Sequence, residues 1–119
     1  MKTLELLETF PKATLVVKQW FLNRLLESLK DSSVPDDFKE FVKAQDMENA
    51  NISKMIDANP RILFDVFDEH KVYIQITYYD GPKFWCSING VESGNKYDTR
   101  LEAEIEAIEG AFQMLNDKL

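Results

Sequence analysis

At 119 residues, 45% hydrophobic, 12% aromatic and 29% charged, the chain has the length and balance of one folded domain, residues 1–119. This is not the charge-rich, aromatic-poor composition of a disordered segment. A formal net charge of -7 sets the averaged field against phosphate backbones and anionic lipid surfaces, so neither nucleic acid nor a membrane is expected as a partner.

The opening "MKTLELLETFPK" lacks a basic segment followed by a long apolar one, and no stretch approaches the roughly 18 uninterrupted apolar residues of a membrane span. A cytoplasmic protein is expected. "TLELLE" reads as a short helix that ends or restarts at Pro11. "KATLVVKQWFLNRLLESLK" continues as a helix with Val16, Trp20, Leu22, Leu25, Leu26 and Leu29 on a wide apolar arc, which predicts cover on more than one side. "DSSVPDD" supplies turn residues. In "DDFKEFVKAQ", Phe38, Phe41 and Val42 at i, i+3 and i+4 predict a short amphipathic helix.

Ile52, Met55 and Ile56 repeat the helical spacing, and Asn59 before Pro60 reads as an N-cap with proline at the first helical position of a new helix. A strand over "RILFDVF" is the competing reading, because Ile62, Phe64 and Val66 also alternate. Leu63 and Phe67 favour the helix, since a strand would then need both faces buried. Residues 1–59 thus form a helical portion, and 60–119 a helix, a β-hairpin and a final helix.

Within "KVYIQITYYDGPKFWCSING", Val72, Ile74, Ile76 and Tyr78 fall on one strand face and Tyr73, Gln75, Thr77 and Tyr79 on the other. "DGPK" is the turn. On the second strand Phe84, Cys86 and Ile88 share a side, and Trp85, Ser87 and Asn89 the opposite one. "NGVESGNKY" suits a loop or tight hairpin returning to a third short strand near Lys96 and Tyr97. Thr99-Arg100-Leu101-Glu102 has the form of a capping box. Leu101, Ile105, Ile108, Phe112 and Leu115 then recur at helical spacing, and are expected in the core against Ile74, Ile76 and Ile88. The fold class expected is α+β: N-terminal helices, a small antiparallel sheet of two or three strands, and an amphipathic C-terminal helix packed on the sheet.

Chemistry-bearing residues are sparse. His70 is the only histidine and Cys86 the only cysteine, which excludes an intramolecular disulfide, and no HxxxH or CxxC spacing is present. Cys86 is expected in the core, where a thiol is inert. Nucleotide-binding glycine motifs and the serine-hydrolase elbow are missing too. No catalytic residue, cofactor or metal site is therefore assigned. A small metal-dependent or hydrolytic enzyme using Asp65, Asp68, Glu69 or His70 is the alternative, and an acidic inhibitor presenting Glu102, Glu106 and Glu109 in imitation of nucleic acid is a further one.

"FWCSINGVESGNKYDTRLEAEIEAIEGAFQML" resembles the end of a double-stranded RNA-binding domain, with strands, a glycine-bearing loop and an alanine-containing helix. The resemblance implies an α+β order and a duplex RNA ligand held by a basic cluster at the start of the last helix. That place is occupied here by Thr99-Arg100-Leu101-Glu102-Ala103-Glu104, with one base and two acids, so duplex RNA is not expected to bind. "TRLEAEIEAIEGAFQML" is similar to small proteins of bacterial and prophage origin, which implies no activity. The ringed strand face remains: Tyr73, Tyr79 and Trp85 either lie under the N-terminal helices, stack bases, or meet a protein partner or a second copy. The function expected is a non-enzymatic interaction or accessory domain, with these three residues as its partner-binding positions.

Overall fold

The computed structural model describes residues 2–30, 35–37, 48–79 and 83–119. The expected helix over Phe38, Phe41 and Val42 and the turn residues 80–82 lie outside them. In chain order the described elements are α1 (Thr3–Thr9), α2 (Pro11–Ser28), α3 (Asn49–Ala58), α4 (Ile62–Glu69), β1 (Ile74–Tyr79), β2 (Lys83–Ile88), β3 (Val91–Glu92) and α5 (Arg100–Lys118). The three strands form an antiparallel sheet in the order β1-β2-β3, and α5 packs on β1 and β2. The architecture is α+β, with N-terminal helices and a C-terminal helix on the sheet.

Pro11 stands at the start of α2, where its missing N–H costs nothing. The Thr14 hydroxyl donates to the Leu7 carbonyl at 2.7 Å, locking α1 against α2. No side chain of its own caps α2. Instead Asn116, near the far end of α5, accepts from the amides of Lys12 at 2.9 Å and Ala13 at 3.2 Å. Among the described residues, helix α2 buries Ala13, Thr14, Val17, Trp20 and Phe21, and leaves Val16, Leu22, Leu26 and, at its C-terminal end, Leu29 half-buried. Helices α1, α4 and α5 all pack against it. Leu15 and Leu25 are exposed.

The strand reading of residues 62–69 is excluded. Leu63, Val66 and Phe67 of α4 are all buried, the i, i+3, i+4 set of one helical face. Asn59 is not the N-cap of α4. It ends α3, its amide donating to the carbonyls of Met55 and Ile56, and tight turns from Asn59 O to Ile62 N and Pro60 O to Leu63 N lead into α4.

Helix α4 ends in a Schellman motif. Val72 N donates to Phe67 O at 2.9 Å and Lys71 N to Asp68 O at 3.1 Å, while Val72 and Phe67 are both buried. The motif puts Lys71 at φ 61, where a Cβ crowds the backbone and glycine is preferred. Lys71→Gly is therefore expected to raise stability by about 0.5 kcal/mol, the relief of strain exceeding the added entropy of the unfolded chain. A chemical denaturation midpoint at or below wild type would contradict it.

Asn89 and Gly90 both have positive φ, 51 and 83, as a two-residue turn between β2 and β3 requires. Ile88 accordingly pairs with Val91. The third strand is thus Val91–Glu92, earlier than expected. Tyr97 instead makes an isolated bridge to Phe84, because the chain turns again at Gly94, φ 80.

Among the described residues two core clusters result. The larger joins the four described helices before the sheet to Val72 and to Ile108, Ala111, Phe112 and Leu115 of α5. The smaller joins Cys86 to Ala103 and Ala107, with Ile74, Ile76, Phe84 and Tyr97 around it. The expected stripe on α5 is thus corrected. Leu101 is 59% exposed and Ile105 only half-buried, because the helix turns its small residues to the sheet. A Cβ at Gly110 would stand 2.9 Å from Cδ1 of Ile88. Glu104, buried on this helix, is paired with Arg61 at 3.0 Å, which offsets its desolvation.

Candidate functional site

The strand register sorts the sheet into two faces. Ile74, Ile76 and Tyr78 stand opposite Ile88, Cys86 and Phe84, while Gln75, Thr77 and Tyr79 stand opposite Ser87, Trp85 and Lys83. Directly opposed residues project to the same side. The first set faces α5. There Cys86 is buried under Ala103 and Ala107, an apolar setting in which a thiol is inert. Tyr78 lies on this side too but is 56% exposed, its ring 5.3 Å from that of Phe84, because α5 sits mainly over β2.

Two of the three expected partner-binding positions, Tyr79 and Trp85, belong to the second set. Tyr73, just before β1, is 55% exposed. Its amide donates to Asn89 Oδ1 and its carbonyl accepts from Asn89 N, both at 2.8 Å. The Asn89 amide nitrogen also donates to the Lys71 carbonyl at 3.2 Å, so one side chain ties the entry of β1 to the end of β2. Tyr79 closes β1 opposite Lys83. Trp85 is half-buried in β2 opposite Thr77, with the Lys96 ammonium 5.2 Å from its ring centroid, a cation–π distance. Lys83 pairs with Asp98. Spacing gave no warning of Lys96. It arrives from the loop after β3, and only the bridge between Tyr97 and Phe84 puts it above the tryptophan. On that same loop, burial pushes the Tyr97 phenol above its ordinary pKa.

The residues of the enzymatic alternative lie along α4 and at its end. Asp65, Asp68 and Glu69 are exposed on α4. His70 caps the end of that helix, and its carbonyl accepts from Lys118 at 2.8 Å. It borders a shallow depression with Val16, Gln19, Trp20, Asn23 and Glu69, surroundings separate from those of Cys86. Among the described residues no group of three or more His, Cys, Asp or Glu side chains is placed to hold a metal ion. Glu102 lies at the start of α5, where its amide donates to the Thr99 hydroxyl at 3.2 Å. This half of the expected capping box gives it a structural role. No described helix is long and apolar enough to cross a membrane. Compared with known proteins, the chain matches no family model, no curated protein and no solved structure.

Proposed function

We propose that this chain acts as a non-enzymatic interaction domain and that the sheet face bearing Tyr73, Tyr79 and Trp85 contacts protein. One observation carries the reading: α5 packs on the apolar side of the sheet, while on the other side Gln75 stands exposed and Trp85 half-buried, with Tyr73 exposed just before β1. Tyrosine and tryptophan join large apolar area to a polar edge and are frequent anchors at protein interfaces. Lys83 and Lys96 are engaged by Asp98 and by the Trp85 ring. With a net charge of -7, they make no basic groove for a polyanion.

Changing Tyr79 and Trp85 together to serine tests this. The expected result is weakening of a captured protein partner, or of self-association, by tenfold or more (about 1.4 kcal/mol or above), with the circular dichroism spectrum unchanged. Binding of single-stranded RNA or DNA by the wild type at physiological salt, lost in the double variant, would overturn the assignment. Unfolding of the double variant would show instead that the rings serve the fold.

A further inference from the structure

We infer that the outer edge of β1 is a docking edge for a second copy of the chain, the two β1 strands pairing antiparallel about a two-fold axis at Ile76. The inference rests on reading the sheet as an interaction surface, and adds where and with what it pairs.

Backbone direction is the first argument. Phe84 exchanges hydrogen bonds with Tyr97, and Cys86 O accepts from Ser93 N, so these residues of β2 turn their backbone groups toward β3. Trp85 and Ser87 therefore bond toward β1, to Thr77 and Gln75 opposite them. The N–H and C=O groups of Ile74, Ile76 and Tyr78 are left pointing out of the sheet at its β1 edge. An extended strand is the shape that satisfies such a row.

The sequence of the edge is the second. "IQITYY" holds no proline, no charge and no glycine, so it carries none of the devices that block an edge. Two chains of net charge -7 meet there without opposing carboxylates. Helix α5 also leaves the apolar side of this strand incompletely covered, with Ile74 and Ile76 half-buried and Tyr78 exposed.

Self-complementarity selects the occupant. With Ile76 opposite Ile76 of the second copy, Ile74 falls opposite Tyr78 on the α5 side, while Gln75 meets Thr77 and Tyr73 meets Tyr79 on the aromatic side. Each is a β-branched, aromatic or hydrogen-bonding pair of the kind that stabilises antiparallel strands. Closed two-fold dimers are also the commonest homo-oligomers.

Sedimentation velocity from about 1 µM to about 1 mM should show a monomer–dimer equilibrium in the micromolar range, as befits a small interface. Gln75→Lys with Thr77→Lys sets like charges opposite each other across the axis, and should weaken the dimer about tenfold. Mixing that variant with Gln75→Glu, Thr77→Glu should restore association as a heterodimer. Amide hydrogen exchange on the wild type needs no variant: Ile74, Ile76 and Tyr78 amides should slow as concentration rises. A chain that stays monomeric throughout overturns the inference. So does a dimer whose exchange at these amides does not change, or one that survives the paired lysines. If the chain stays monomeric but captures another protein, and Tyr79→Ser with Trp85→Ser abolishes that capture, self-pairing falls while the functional reading of the face stands.

Discussion

Truncation of Phe112 to alanine is expected to destabilise the protein by about 3–5 kcal/mol. The ring is fully buried and meets Phe67 edge-on, with centroids 5.5 Å apart and planes at 85°. It lies where α5 meets the N-terminal helices, among Ile108, Ala111 and Leu115, so no mobile surface chain is at hand to fill the space. The loss combines the transfer free energy of the ring with the cavity left behind. A share of it belongs to the aromatic pair, so Phe67→Ala combined with Phe112→Ala should cost less than the sum of the two single changes. Urea denaturation measures both quantities. A near-wild-type midpoint for Phe112→Ala would remove this packing.

Enlarging Ala107 to leucine is expected to cost about 1–3 kcal/mol or more. Leucine forms helix nearly as well as alanine, so the change reports packing and not propensity. Ala107 has no exposed surface and packs in one cluster with Ala103 and Cys86, with Ile74, Ile76, Phe84 and Tyr97 against it. Added carbons would lift α5 from the sheet. Gln113→Leu on the exposed side of the same helix serves as control, and should stay within about 0.5 kcal/mol of wild type. Equal melting temperatures for the two variants would show that the helix and sheet are not closely apposed here.

The contrast between Leu101 and Ala107 shows where sequence reading reaches its end on α5. Leu101, Ile105, Ile108, Phe112 and Leu115 make the most regular large-apolar stripe in the chain, and its last part does enter the core. Its start does not, because the sheet demands close approach. Ala103, Ala107 and Gly110 form the contact, and small residues carry little weight in a hydrophobic pattern. The candidate site divides in the same way. Alternation placed Tyr73, Tyr79 and Trp85 on one strand face, and the register sets Trp85 opposite Thr77. Nothing in the spacing of the chain revealed Lys96 over Trp85.

What the sequence by itself determined is local. Paired apolar neighbours made residues 62–69 a helix. Thr99 opened the last helix, Asn89-Gly90 supplied the positive φ values of a tight hairpin, and alternation split the strands into faces. Each of these follows from dihedral preference or side-chain period within a few residues. Tertiary structure decided which side of α5 meets the sheet. It also capped α2 with Asn116, a residue 103 and 104 positions away from the amides it serves, and left β1 at an edge. These outcomes depend on which surfaces lie opposite one another once the chain is closed. A periodic pattern records that a face is to be buried, and the packed neighbours decide against what.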